Sequence, residues 1–279
     1  MRSSQQFVAL IGRSIEHSLS PLLHHELFRR SELDWVYRST PVEARVLGRF
    51  VKELPSASFA GANVTSPYKE VIVHALDRLA ESARSIGAVN TIVLEEDALV
   101  GHNTDHAGIA RSLRGLLDRT DIRAVVLGTG GAARAAVYEL LRTPHVTSIA
   151  IRSRHLYRAC IAVSCFNDAR VIAQGPDEPL ECELLINATP IGRDDVHSSP
   201  VEIDDLHGVD CVFDMNYVPA ETMLMKQARR LGCRTMGGLE MFIGQALASF
   251  SLWTGVAPSD AGLDELLSRE LERQGEAGR

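Results

Sequence analysis

One lysine and one aspartate lie among hydroxyl and amide side chains and could transfer a proton. Lys69 lies in the stretch GANVTSPYKE, residues 61–70, and Asp105 ends the stretch GHNTD, residues 101–105. If the two side chains meet, a charge-assisted hydrogen bond orients the amine of Lys69. Such a bond would also set the proton affinity of the amine. The alternatives are a solvated Lys69 and an Asp105 that only caps a helix.

Several amide and hydroxyl side chains follow predicted strands. Ligands of open α/β sheets bind beyond the carboxyl ends of the strands. Such positions are occupied by Asn63, Thr65, Asn90 and Asn103. These side chains indicate a site for a polar small molecule, and hydrogen-bonded turn residues are the alternative.

Two serines precede the first predicted helix, in the stretch HSLSP. Ser20 stands directly before Pro21, which predicts that Ser20 caps this helix. From these letters alone, Ser18 is interpreted as an ordinary loop residue.

A glycine turn follows the predicted strand IRAVVL. The stretch LGTGGAA, residues 127–133, matches G-x-G-x-x-A with Gly128, Gly130 and Ala133, and Gly131 and Ala132 lie between them. A strand, this turn and a helix together bind a dinucleotide pyrophosphate on backbone N–H groups. The alternative is a packing turn without a ligand.

The residues at the end of the next strand predict which dinucleotide binds. NAD-binding chains carry an acid about 20 residues after the turn, and an arginine there accommodates a 2′-phosphate. This chain has Arg152, Ser153 and Arg154 after TSIAI. NADP is therefore the predicted cofactor, and a solvated basic strand end is the alternative.

Short β-rich runs alternate with longer helical patterns along the chain, which predicts an α/β protein with mainly parallel sheets. A helix is predicted from Pro67, with Lys69 at its third position. The stretch GHNTDHAG is predicted as a loop, and a domain boundary is placed between Asp105 and Ala107. Two helices after GCRTMGGLEM are expected to return to the first domain.

Composition favours a small-molecule partner. The 279 residues are 45% hydrophobic and carry a net charge of -7 without a long basic block, which disfavours nucleic acid and anionic membranes. The five cysteines include no C-x-x-C pair, and His24 and His25 are adjacent, so neither a disulfide framework nor a metal is predicted. Without a spanning or signal segment, a cytoplasmic protein is expected.

A series of motifs in this chain resembles the shikimate dehydrogenase family along nearly its whole length. They are SLSP, GANVTSPYKE, GAVNTI, GHNTD, LGTGGAARA, INATPIG, DMNY and GGLEMFIGQA. The resemblance implies an N-terminal α/β substrate domain, residues 1–106, completed by helices of residues 239–279. It also implies a Rossmann-type NADP-binding domain, residues 107–238. The implied reaction is the reversible, NADPH-dependent reduction of 3-dehydroshikimate to shikimate.

The resemblance also implies roles for individual residues. Lys69 and Asp105 form the catalytic pair. The implied substrate residues are Ser18, Ser20 and Tyr217 for the carboxylate, and Asn63, Thr65, Asn90 and Gln245 for ring hydroxyls. Thr189, Met215 and Gly238 line the nicotinamide end of the cofactor.

Three features depart from the family pattern. His102 replaces a frequent Asp, Ile151 replaces the usual Asn, and the segment after Ser153 is longer. His102 leaves a quinate or aminoshikimate dehydrogenase as an alternative. A non-catalytic NADP-binding sensor is a further one, although a sensor has no need of both Lys69 and Asp105. A monomer or a homodimer is expected.

Overall fold

The computed structural model describes residues 5–56, 58–114, 116 and 120–277. Contacts divide the chain into two compact units. Unit 1 comprises residues 1–104 and 245–263, and unit 2 comprises residues 105–244 and 264–279. The domain bounds expected from the sequence stay a prediction.

Unit 1 is built on one mainly parallel sheet. Its strands are β1 (Gln6–Gly12), β2 (Trp35–Pro41), β3 (Phe59–Val64), β4 (Arg78–Leu79), β5 (Thr91–Glu95) and β6 (Ala98–His102). Its helices are α1 (Ser20–Arg30), α2 (Leu47–Lys52) and α3 (Glu81–Ile86), with 3-10 helices at Ala44–Val46 and Val71–Ala75. The strand order is β2-β1-β3-β5-β6-β4, in which β5 runs antiparallel to β3 and β6.

Unit 2 holds a parallel sheet with helices between its strands. Its strands are β7 (Ile122–Leu127), β8 (Val146–Arg152), β9 (Val171–Gln174), β10 (Leu184–Asn187), β11 (Cys211–Asp214) and β12 (Arg234–Met236). Its helices are α4 (Asp105–Leu113), α5 (Gly131–Arg142), α6 (Leu156–Val163) and α7 (Met223–Arg230). The strand order β9-β8-β7-β10-β11-β12 is that of a Rossmann sheet, and it reverses between β7 and β10.

Apolar periodicity explains the first strand and helix of unit 1. Strand β1 is buried from Val8 to Gly12, as expected for a parallel strand covered on both faces. In α1, Leu23, Leu27 and Phe28 are buried on one face, as expected for apolar residues at helical spacing. The predicted α/β class with mainly parallel sheets is confirmed.

The prediction of a helix from Pro67 is wrong. The peptide Ser66–Pro67 is cis, Lys69 lies in a turn, and the next helical residues form the 3-10 helix Val71–Ala75. The carbonyl of Lys69 accepts the Val89 N–H at 2.7 Å, so this long-range bond replaces an intrahelical one. Lys69 is therefore positioned by the neighbouring chain segment and not by a helix start.

The stretch GHNTDHAG is not one loop. Strand β6 ends at His102 and α4 begins at Asp105. Asn103 and Thr104 alone separate the two elements, and both are buried. The predicted loop is thus a tight connection whose residues have fixed positions.

Two helices follow at the C-terminal end, α8 (Leu239–Thr254) and α9 (Leu263–Ala277). The Trp253 indole Nε1 of α8 donates to the Ile92 carbonyl oxygen at 2.9 Å. A Cβ on Gly61 would overlap this indole, so only glycine allows α8 to approach β3 here. Within the described residues, no helix has the length and apolar character needed to span a membrane.

Candidate active site

The loops after β1 and β3 lie side by side in unit 1. The two strands are parallel neighbours, so their carboxyl ends open at the same edge of the sheet. The Thr65 N–H donates to the Ile11 carbonyl at 2.9 Å, and a Cβ on Gly12 would lie 2.6 Å from the Thr65 methyl carbon. Thr65 is thereby held against the loop that leads to Ser18.

Lys69 and Asn90 are attached to this edge by backbone hydrogen bonds. The Val64 N–H donates to the Asn90 carbonyl at 2.8 Å, next to the bond between Val89 and Lys69. Lys69 is half-buried, and Asn90 is 2% exposed. The structure thus brings Thr65, Lys69 and Asn90 together. Asp105 is the first residue of α4 in unit 2, and its predicted pairing with Lys69 stays a prediction.

The prediction that Ser20 caps α1 is wrong. Ser20 is the first residue of α1, and Leu19 occupies the cap position because its carbonyl accepts the Leu23 N–H at 3.0 Å. The hydroxyl of Ser18 instead accepts the Ser20 N–H at 3.2 Å. Ser18 therefore stabilises the helix start, and Ser20 is not needed as its cap.

Asn90 is the centre of a buried cluster of amides and hydroxyls. Its Oδ1 accepts the Thr104 N–H at 2.7 Å and the Thr91 hydroxyl at 3.0 Å, while its Nδ2 donates to the Thr104 hydroxyl at 2.9 Å. The hydroxyl of Ser249 on α8 lies 2.8 Å from that of Thr91 and 2.9 Å from that of Thr104. Ser249 also donates to the Gln245 carbonyl at 2.9 Å, which joins α8 to the cluster.

Asn63 lies in the same cluster, and both the oxygen and the nitrogen of its amide form hydrogen bonds. Its Oδ1 accepts the Tyr37 hydroxyl at 2.8 Å, and its Nδ2 lies within 3.2 Å of acceptors on Asn90, Thr91 and Ser249. These bonds support a role for Asn63 in ordering its neighbours. Its predicted contact with a ring hydroxyl stays a prediction.

Four cluster members were missed in the sequence: Tyr37, Thr91, Thr104 and Ser249. The repeated Asn-Thr pair in GAVNTI and GHNTD could have indicated Thr91 and Thr104. Ser249 stands one helical turn after Gln245, a spacing that any buried helix residue shares. Nothing in the sequence marks Tyr37.

His102 lies in line with Asn63 and Thr91 across three neighbouring strands of the unit 1 sheet. Thr91 pairs with Asn63 in β3 and with His102 in β6. The His102 Nε2 lies 3.7 Å from Oε1 of Glu95, at a cleft also lined by Arg78 and Arg84. Burial lowers the pKa of His102, although Glu95 opposes the shift. His102 therefore neighbours the buried cluster through Thr91 and a charged cleft through Glu95.

A buried histidine, His24, packs against the ring of Tyr37. The His24 ring stacks on the Tyr37 ring with centroids 4.5 Å apart and planes 8° apart. His24 is fully buried, and this burial, reinforced by His25, lowers its pKa to about 3. His24 is therefore neutral across the physiological range.

Acid is expected to destabilise the protein through His24. The unfolded chain binds a proton at His24 below about pH 6.5, while the folded chain does not, so this contribution to stability falls as pH falls. Between pH 6 and pH 5, the free energy of unfolding should drop about 1 kcal/mol more in the wild type than in His24→Phe. Urea unfolding at both pH values measures the difference. An equal drop in the two proteins would contradict it.

In unit 2, the glycine turn is shaped to receive an anion. Gly128 has φ +112°, and its N–H donates to the Arg152 carbonyl at 3.0 Å. The bonds of α5 start with the Arg134 N–H, which donates to the Gly130 carbonyl at 3.0 Å, so the N–H groups of Gly131 and Ala132 are left for a ligand. The first turn of α5 holds no acidic residue. The residues present thus fit a dinucleotide pyrophosphate.

The residues predicted for the nicotinamide end follow adjacent strands of this sheet. The Met215 N–H donates to the Asn187 carbonyl at 3.0 Å, and the Gly238 N–H donates to the Asn216 carbonyl at 3.1 Å. A Cβ on Gly128 would lie 3.4 Å from the methyl carbon of Thr189, and one on Gly238 would overlap the Met215 carbonyl. The structure therefore brings the glycine turn, Thr189, Met215 and Gly238 to one edge.

Tyr217 lies two positions after Met215, in unit 2. Its ring packs against Phe242, with centroids 4.8 Å apart. Burial raises the pKa of the Tyr217 hydroxyl, which keeps it protonated and able to donate. Its predicted contact with a carboxylate stays a prediction.

The basic strand end after β8 has one engaged arginine and one exposed arginine. Arg152 donates to the carbonyls of Pro176 and Glu178, both at 2.6 Å, which uses two of its five N–H donors. The Ser153 hydroxyl accepts the His155 N–H at 3.2 Å, and Arg154 is exposed. The guanidinium group of Arg154 and the remaining N–H donors of Arg152 are therefore suited to bind a phosphate at this edge.

Family models match both ends of the chain. One for the Shikimate dehydrogenase substrate binding domain matches residues 10–92, and one for the Shikimate 5'-dehydrogenase C-terminal domain matches residues 238–262. The shikimate dehydrogenase (NADP(+)) of Salinibacter ruber is 37% identical, over 90% of this chain and 93% of its own length. That of Pelodictyon phaeoclathratiforme is 36% identical, over 98% of this chain and 100% of its own length.

Solved structures resemble nearly the whole chain. A shikimate 5-dehydrogenase from Thermus thermophilus in complex with NADP(H) and shikimate has a TM-score of 0.85 at 30% identity, covering 95% of this chain and 99% of that one. A quinate dehydrogenase from Corynebacterium glutamicum in complex with NAD has a TM-score of 0.85 at 29% identity, with the same coverage.

Proposed function

Because this chain belongs to the shikimate dehydrogenase family, we propose that it interconverts 3-dehydroshikimate and shikimate. It is an NADP-dependent oxidoreductase that acts on a CH–OH group. The observation that carries this function is the match to curated shikimate dehydrogenases over 90% or more of the chain. Two groups of residues support it. One is Thr65, Lys69 and Asn90 at one edge of the unit 1 sheet, and the other is the glycine turn of unit 2.

The proposed roles divide between the two units. In unit 1, Ser18 and Ser20 bind the substrate carboxylate, and ring hydroxyls are bound by Asn63, Thr65, Asn90 and Gln245. Tyr217 of unit 2 adds a donor to the carboxylate. The buried hydrogen bonds around Asn90 support this division because they fix the orientation of its amide beside Thr91 and Thr104.

Lys69 is the proposed general acid in the direction of reduction. When bound, NADPH supplies a hydride to the carbonyl carbon of the substrate. Lys69 gives a proton to the carbonyl oxygen, which becomes the hydroxyl of shikimate, and takes it back in the reverse direction. Asp105 orients the Lys69 ammonium by a charge-assisted hydrogen bond.

The cofactor residues are proposed from the edge of the unit 2 sheet. Gly128, Gly130, Gly131 and Ala132 bind the pyrophosphate through backbone N–H groups. Arg152, Ser153 and Arg154 bind the 2′-phosphate of the adenosine ribose. Thr189, Met215 and Gly238 line the nicotinamide end.

A quinate dehydrogenase of the same family is the second candidate. It is favoured by the likeness to the quinate dehydrogenase of Corynebacterium glutamicum. It is also favoured by His102, which replaces the frequent Asp of the family and pairs with Thr91 across the sheet. Purified protein should be mixed with shikimate, aminoshikimate or quinate and with NADP or NAD. Appearance of reduced nicotinamide absorbance fastest with shikimate and NADP is the expected result. A higher kcat/KM for quinate would favour the second candidate.

Ser18→Ala is expected to raise the KM for shikimate about tenfold, because a hydrogen bond to a charged group contributes about 1.5 to 3 kcal/mol. The variant should also lose about 0.5 to 2 kcal/mol of stability, since Ser18 accepts the Ser20 N–H. Initial rates and thermal unfolding measure the two effects separately. Ser14→Ala, exposed in the same loop, is the control. Lower stability with an unchanged KM would leave Ser18 only its structural role.

A further inference from the structure

A buried carboxylate lies behind the nicotinamide end of unit 2. Asp214 is the last residue of β11 and is fully buried. Its Oδ2 accepts the Thr222 hydroxyl at 2.7 Å, and its Oδ1 accepts Nδ2 of Asn187 at 3.1 Å. The backbone N–H and Nδ2 of Asn216 also donate to Oδ1, each at 3.0 Å. Burial raises the pKa of Asp214, and these four hydrogen bonds oppose the shift.

A carboxylate only accepts hydrogen bonds, so it determines which way each neighbouring amide is turned. Asn187 must direct its Nδ2 to Asp214, which leaves its Oδ1 facing Thr189. That oxygen accepts the Thr189 N–H at 3.0 Å and the Thr189 hydroxyl at 2.7 Å. The orientation of Thr189 is therefore dictated by a charge that it does not touch.

Asn216, in the loop after β11, also connects Asp214 to the loop after β10. Its Nδ2 also donates to the carbonyls of Thr189 and Ile191, at 3.0 and 3.1 Å. The residues after β10 and the residues after β11 are thus tied to one carboxylate. Between them they carry Thr189 and Met215, which the proposed function places at the nicotinamide.

The position of these loops relates them to one half of a dinucleotide. A Rossmann sheet binds its ligand across the point where the strand order reverses, one mononucleotide on each half. The glycine turn and the arginines follow β7 and β8, so the adenosine half belongs there. The loops after β10 and β11 then belong to the nicotinamide half.

We propose that Asp214 is a positioning residue that orders the nicotinamide subsite through Asn187 and Asn216. This inference rests on the proposed function. It predicts that loss of the charge weakens binding of the nicotinamide ring and leaves binding of the adenosine half unchanged. A residue with a purely structural role would weaken both halves or neither.

The test compares two ligands that differ in the nicotinamide ring. NADP⁺ and 2′-phospho-ADP-ribose, which lacks the ring, are titrated into the full-length wild type and Asp214→Asn by calorimetry. The Kd of NADP⁺ should rise about tenfold in Asp214→Asn, the size expected when one oriented hydrogen bond is lost. The Kd of 2′-phospho-ADP-ribose should change less than about twofold. Asp204→Asn, the same change at an exposed position of unit 2, should match the wild type.

Equal weakening of both ligands, or no weakening of either, would overturn the inference. If Asp214→Asn does not fold, Asn187→Leu breaks the path from Asp214 to Thr189 with a side chain of similar shape. It must then show the same split between the ligands, and an unsplit result overturns the inference. A wild type that does not bind NADP⁺ overturns the proposed function and this inference with it, whereas binding that is insensitive to both variants overturns the inference alone.

Discussion

Lys69→Ala is expected to lower kcat by about 10² to 10⁴, the range typical for loss of a positioned general acid. The change in KM for shikimate should be much smaller, because the proposed substrate contacts come mainly from other side chains. Steady-state rates in both directions measure the two parameters. The hydrogen bond between Lys69 and Val89 should survive this substitution, because it uses the backbone carbonyl of Lys69 and not the side chain.

Lys52 is the matched control for this prediction. It is an exposed lysine at the end of α2 in the same unit, so Lys52→Ala should keep wild-type kcat and KM. A Lys69→Ala protein that retains more than half of the wild-type kcat would refute the proposed proton transfer. Thermal unfolding shows whether Lys69→Ala stays folded, so that a lower kcat can be assigned to the missing amine and not to a loss of folded protein.

NADP is expected to exceed NAD in kcat/KM by at least about tenfold, which corresponds to roughly 1.4 kcal/mol. The physical reason is the charge at the end of β8, where Arg152 and Arg154 attract a 2′-phosphate that NAD lacks. Each charge-assisted contact contributes about 1.5 to 3 kcal/mol, and less where the guanidinium stays exposed. Removing both should therefore cost roughly 10- to 100-fold in kcat/KM with NADP.

The double variant Arg152→Ala with Arg154→Ala tests this preference, with each single variant beside it. Activity with NAD should stay close to the wild-type value while activity with NADP falls. Arg152→Ala also removes the bonds to Pro176 and Glu178, so its thermal unfolding must be measured too. Arg142→Ala, an exposed arginine at the end of α5, should leave the preference intact. Equal use of both cofactors by the wild type, or an undiminished preference in the double variant, would contradict the assignment.

Local pattern was a good guide where the burial of a residue follows from the geometry of its own helix or strand. The apolar spacing of α1 and the continuous apolar run of β1 follow from helix and strand geometry alone, and the structure has both. The glycine turn was equally readable, because Gly128 needs a positive φ that other residues rarely adopt.

Local pattern failed where a distant segment takes a backbone group. Ser66-Pro67 has the letters of a helix start, but the Lys69 carbonyl is bound by Val89. Ser20 has the letters of a cap, but Leu19 holds the cap position and Ser18 accepts the N–H. In each case propensity is a weak preference that a single hydrogen bond is enough to override.

The sequence by itself determined the α/β class, the glycine turn, the two arginines after β8 and the family to which the chain belongs. These depend on residue type at short spacing, which the letters state directly. Only the tertiary structure decided how the amides are turned. Asn63 bonds to Ser249, 186 positions away, and Asn187 takes its orientation from Asp214, 27 positions away. Hydrogen bonds are directional, so the orientation of an amide depends on partners that only the fold brings within reach.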